Sequence, residues 1–106
     1  MTPDQTQALA LIQRRLYEKF QVEAMILYGS VARGEAGEES DIDLLILTRN
    51  QLSRSERHQI TGLVFEANLE YGTNFSTMVL ARSSWETGLF SVLPIRQEII
   101  KDGIAV

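Results

Sequence analysis

The chain has no cysteine, so neither a disulfide framework nor a thiolate metal centre can belong to it, and a reducing compartment suits it. Basic charge is also short. Ten Lys and Arg face fourteen Asp and Glu for a net charge of -4, which argues against a general binder of nucleic-acid backbones. No apolar run approaches the roughly 20 residues that span a bilayer. The opening Met1-Thr2-Pro3-Asp4-Gln5 is polar and acidic where a secretory signal needs a basic and then an apolar stretch. With two prolines and no low-complexity tract, nothing suggests disorder. These absences together predict a cytoplasmic globular protein.

What is present is ordinary: 44% hydrophobic and 23% charged residues in a chain of 106. That length suits one domain over residues 1–106 and leaves no room for a second.

Thr2, Pro3 and Gln5 form a helix-start signature of cap, first-turn proline and capping-box partner. Leu9, Ile12, Leu16 and Phe20 then keep helical spacing, with Arg14, Arg15, Glu18 and Lys19 toward solvent. Val22 to Tyr28 is apolar on both alternating faces apart from Glu23, as in a strand covered on both sides, and Gly29 ends it. Residues 34 to 41 read as an exposed loop. Ile42 to Leu47 is a second buried strand. A helix from Ser53 or Ser55 to Tyr71 is marked by Ile60, Leu63, Val64 and Ala67 and stopped by Gly72. Phe75 to Ala81 is a third strand. Ser83 with Glu86 predicts a capping box opening a short helix through Trp85 and Phe90. Pro94 starts a last helix ending near Lys101, with Gly103 as its stop and an apolar tail from Ile104 to Val106. The expected order is αβαβαβα, an α/β (α+β) arrangement of a small sheet with helices packed against it.

Two features carry chemistry. Gly29-Ser30 follows a strand, and a short helix begun by Ser30 to Arg33 would aim its first amides and the Ser30 hydroxyl at an anion such as a triphosphate. Asp41 and Asp43 flank Ile42, and residues two apart on a strand share a face at about 6 to 7 Å. Like charges so close repel unless a cation lies between them, and oxygen ligands of this kind suit Mg²⁺.

The run GSVARGEAGEESDIDLLI, residues 29 to 46, resembles the signature of the DNA polymerase beta-like nucleotidyltransferases, especially their minimal bacterial and archaeal members. The ending EIIKDGIAV looks like the close of those minimal members too. The resemblance implies a nucleotidyltransferase fold with a small mixed sheet. It implies that Gly29 and Ser30 hold nucleotide phosphates and that Asp41 and Asp43 are catalytic ligands of Mg²⁺. Arg33 and Gly34 match as well, with Arg33 expected at the nucleotide. The implied reaction moves a nucleoside monophosphate from a nucleoside triphosphate to a hydroxyl.

The chain departs from the pattern at one place. Active members usually carry a third acid on the next strand, where this chain offers Ser76 or Thr77, and neither is a carboxylate ligand or a base near neutral pH. Glu70 and Glu86 lie outside that strand. Such a loss leaves nucleotide binding possible while removing a base worth roughly 10² to 10⁴ in rate. The alternative to an enzyme is therefore a nucleotide-binding module that acts as the antitoxin-like or regulatory partner of another protein. Minimal members are often paired with a separate helical protein of the HEPN type, which the resemblance offers as partner in either case. His58 lies off the apolar face of its helix and is assigned no role; Arg14, Arg15, Arg54 and Arg57 read as solvated, and Trp85, Phe90 and Met78 as packing residues.

Overall fold

The computed structural model describes residues 1–35 and 41–106; residues 36–40 of the expected loop lie outside the described residues. The chain runs α1 (Pro3–Lys19), β1 (Val22–Tyr28), β2 (Ile42–Thr48), α2 (Arg54–Tyr71), β3 (Phe75–Ala81), α3 (Arg82–Glu86), a 3-10 turn (Leu89–Val92), α4 (Pro94–Asp102) and β4 (Ile104–Ala105). β1 pairs antiparallel with both β2 and β4, while β2 and β3 are parallel, with α2 as the crossover that parallel pairing requires. The described residues thus form a mixed sheet in the order β3-β2-β1-β4.

β2 explains the core. Its Ile42, Leu44 and Ile46 are buried against Leu9, Ile12 and Leu16 of α1 and Ile60 and Val64 of α2. Its Leu45 and Leu47 pack on the opposite face with Ile95 and Ile99 of α4, Trp85 and Met78. A strand covered on both sides is apolar on both faces, which is why Leu44 to Leu47 shows no alternation. Each fully buried Leu or Ile contributes about 1.5 to 3 kcal/mol, and truncating Leu44 to Ala would cost roughly 2 to 5 kcal/mol.

Capping sets the helix starts. In α1 the Gln5 amide donates to Thr2 Oγ1 (3.1 Å) and the Thr2 amide to Gln5 Oε1 (2.9 Å). In α2 the cap is Ser53 rather than Ser55, with Glu56 closing the box, and Gly72 ends the helix in the left-handed region at φ 64°. Arg15 pairs with Glu66 at 3.2 Å, while His58 is exposed.

Three expectations need correction. Ser30 to Arg33 is a set of hydrogen-bonded turns and not a short helix, because Gly34 at φ 73° reverses the chain and its amide bonds Val31 O. Among the described residues, no helix lies between β1 and β2. The Ser83–Glu86 capping box is absent: α3 starts two residues earlier, after Ala81 and without a side-chain cap, and the Ser83 carbonyl accepts from Thr87 and Gly88 instead. That helix stops at Glu86, and Phe90 belongs to the separate 3-10 turn, its ring 5.8 Å from Trp85. Last, the apolar tail is a strand, β4, laid along Ile26 and Leu27.

Candidate active site

The end of β1, the start of β2 and the first turns of α4 line a cavity of about 400 Å³ bounded by Tyr28, Gly29, Ser30, Arg33, Asp43, Ile95 and Glu98. That size falls within the range of small-molecule sites. Tyr28, Asp43 and Ser76 stand in register on β1, β2 and β3. Since strand residues two apart share a face, Asp43 projects on the same side as Leu45 and Leu47, the side that α4 covers.

Gly29 makes this geometry possible. It sits at φ 78°, and the Asp43 carboxylate lies where a Cβ at position 29 would be, so only glycine lets the acid reach the turn. Within the turn, the amides of Arg33, Gly34 and Glu35 donate to the carbonyls of Gly29 (3.2 Å), Val31 (3.1 Å) and Ser30 (3.0 Å). Those of Ser30, Val31 and Ala32 take no hydrogen-bond partner among the described residues. Successive free amides in a turn form an anion-binding concavity, so the turn keeps the capacity that a helix start would have had. The Ser30 hydroxyl and the Arg33 guanidinium border the same space. Arg33 Nε meets Glu35 Oε2 at 3.2 Å in a largely exposed pair.

Burial, and after it the Asp41 carboxylate, push the Asp43 carboxyl above its ordinary range, with Arg33 pulling the other way. Burial and then Asp43 likewise raise the Tyr28 phenol. Asp41 lies just before β2 and is exposed; it borders the cavity's acid without lining the cavity itself. Among the described residues no three acidic or imidazole side chains gather into one metal site. A two-carboxylate donor set with mutual repulsion fits Mg²⁺, which is bound through one or two carboxylates and otherwise keeps water and phosphate oxygens.

Of the residues singled out by sequence, Gly29, Ser30, Arg33 and Asp43 converge on one cavity, with Asp41 at its border. Ser76 stands beside Asp43 and brings no carboxylate. Sequence reasoning missed Tyr28, Ile95 and Glu98. The available signal was the Ile95/Ile99 spacing, which fixes the docked face of α4 and so turns Glu98 toward the end of the sheet.

A mixed sheet with helices packed against it, whose glycine turn and neighbouring acid share one cavity, defines an α+β domain with a candidate site at one end of its sheet. The model of the nucleotidyltransferase domain family (NTP_transf_2) matches residues 9–103, and the chain belongs to that family. Two Methanocaldococcus jannaschii proteins, MJ0141 and MJ1305, each named as a candidate protein adenylyltransferase, are similar in sequence. The first is 32% identical over 65 residues, 61% of this chain and 66% of its own length. The second is 41% identical over 59 residues, 54% of this chain and 40% of its own. The chain thus spans less than two thirds of either relative.

Among solved structures, a chain of a toxin–antitoxin complex with AMP-PNP superimposes with a TM-score of 0.63 at 15% identity, covering 91% of this chain and 69% of that one. A chain from the complex of tri-AMPylated Shewanella oneidensis HEPN toxin with MNT antitoxin gives 0.55 at 14% identity, covering 96% and 70%. These likenesses establish the fold.

Proposed function

We propose that the protein is a Mg²⁺-dependent nucleotidyltransferase that moves AMP from ATP to a hydroxyl on a HEPN-type helical partner protein, acting as a single minimal catalytic domain in the cytoplasm. The observation that carries this reading is the contact between the Gly29 turn and Asp43, which sets an anion-binding concavity against a carboxylate in one cavity. Ser30, Arg33 and the free amides of the turn bind and orient the triphosphate. Asp43 and Asp41 would hold Mg²⁺, which when bound neutralises phosphate charge and polarises the α-phosphorus. Ile95 and Tyr28 give the cavity an apolar wall that limits water. The protein acceptor is suggested by the names of the two archaeal relatives, and the HEPN-type partner by the complex with an AMPylated toxin. No described helix is long and apolar enough to cross a membrane.

The test is incubation with labelled ATP, Mg²⁺ and the HEPN-type protein encoded beside it. Covalent label on the partner, lost with Asp43→Ala, is the expected result. Absence of label in every pairing overturns the enzyme reading. A second reading, an antitoxin-like nucleotide-binding module that acts by covering its partner, is favoured by the serine at position 76 beside Asp43. It requires a stable complex that survives Asp41→Ala/Asp43→Ala, and a partner that does not bind the chain would end it.

A further inference from the structure

We infer that Glu98 is the general base of this site, accepting the proton of the attacking hydroxyl and so performing from α4 the task that β3, with Ser76 beside Asp43, has no carboxylate to perform. The inference rests on the nucleotidyltransferase reading above.

Three observations support it. Glu98 lines the same cavity as Asp43, Ser30 and Arg33. Its carboxylate makes no hydrogen bond or ion pair among the described residues, whereas Glu23, Glu35, Glu66 and Glu86 are each committed to an arginine. Its position is also held from both sides. Ile99 next to it is buried and Ile95 packs against the sheet face, and Gly103, whose missing Cβ lets the chain close against Ile99 and Ile26, leads into β4.

Geometry separates this role from metal binding. α4 packs over β1, so Glu98 approaches from the Tyr28 side of Asp43, while Ser76 lies on the other side. Glu98 does not gather with Asp41 and Asp43 into a three-ligand cluster. It borders the space in which substrate lies and would touch the acceptor there. In the step, the acceptor O–H proton passes to a Glu98 Oε as the acceptor oxygen bonds the α-phosphorus. The bond from that phosphorus to the bridging oxygen breaks, and pyrophosphate leaves with the electron pair.

Glu98→Gln keeps the shape and removes the base. The expected result is a fall in kcat of roughly 10² to 10⁴ for transfer to the partner protein. Mn²⁺-dependent binding of a fluorescent non-hydrolysable ATP analogue and the melting temperature stay at wild-type values, and Glu98→Asp keeps part of the rate. A Gln variant with wild-type kcat overturns the inference and leaves the enzyme reading intact. A Gln variant whose nucleotide affinity falls in step with its rate also overturns it, since the residue would then serve nucleotide binding. Wild-type protein that transfers nothing overturns both.

Discussion

The Asp43 carboxylate fills the volume that a side chain on residue 29 would need, so the glycine turn and the acid of β2 are parts of one arrangement. Gly29→Ala should injure both. A non-glycine residue at φ 78° carries a strain of roughly 1 to 2 kcal/mol, and Asp43 must also move aside. A lowered melting temperature together with loss of Mg²⁺-dependent nucleotide binding is expected. Gly34→Ala is the control: φ is 73° there but the space around it is open, so the strain should appear in the melt by itself, with Asp43 undisturbed.

The raised Asp43 carboxyl gives a pH signature for the protein in chelator. An acid whose folded pKa exceeds its unfolded value holds its proton more tightly in the folded state. Its contribution is then most favourable below the unfolded pKa and is lost as pH rises through the folded one, so the ionised group is a net cost at neutral pH. Asp43→Asn should therefore melt higher than wild type at pH 7 and equal to it near pH 3. A variant less stable than wild type at neutral pH would mean that Arg33 outweighs burial and Asp41.

Arg33→Ala should weaken triphosphate binding more than fold stability. The Arg33–Glu35 pair is exposed and worth about 0 to 1 kcal/mol, so little is lost when it opens. A hydrogen bond to a charged phosphate is worth about 1.5 to 3 kcal/mol, or roughly 10- to 100-fold in Kd. Titration with ATP and then AMP should show the larger loss for ATP.

Asn68 is a structural prediction away from the cavity. Its Oδ1 accepts from the Phe75 amide and from Thr73 Oγ1, both at 2.9 Å, and its Nδ2 donates to Phe75 O at 3.1 Å. It thereby ties the end of α2 to the start of β3. Asn68→Ala leaves these groups unpaired and should cost about 1 to 3 kcal/mol in urea unfolding, with nucleotide affinity little changed.

Much of this was legible from residues. The strands β1 and β3 and the helix α2 fall where buried runs meet Gly29 and Gly72, because a run's hydrophobicity and its glycine stop are local properties. Gly29, Ser30 and Asp43 were legible as a group because strand parity places an acid relative to its strand. Other features depend on contacts distant in sequence. Whether Ser30 to Arg33 coils into a helix is decided by Gly34 reversing the chain, and the Ser83 box loses to a start set by the end of β3. A two-residue strand has no period to detect, so β4 was invisible. Glu98 became meaningful once α4 was seen to dock over β1: the Ile95/Ile99 spacing marks the docked face of the helix but not the strand it meets.

β4 hydrogen-bonds to the end of β1 that leads into the glycine turn, and the Val106 amide adds a bond to Met25 O at 3.0 Å. The terminal ladder therefore works as a clasp: while it is closed, the helical wall with Glu98 and the floor with Gly29 move together. Peeling residues 104–106 away would free the wall from the floor, so proton exchange at their amides should track how often the cavity gapes.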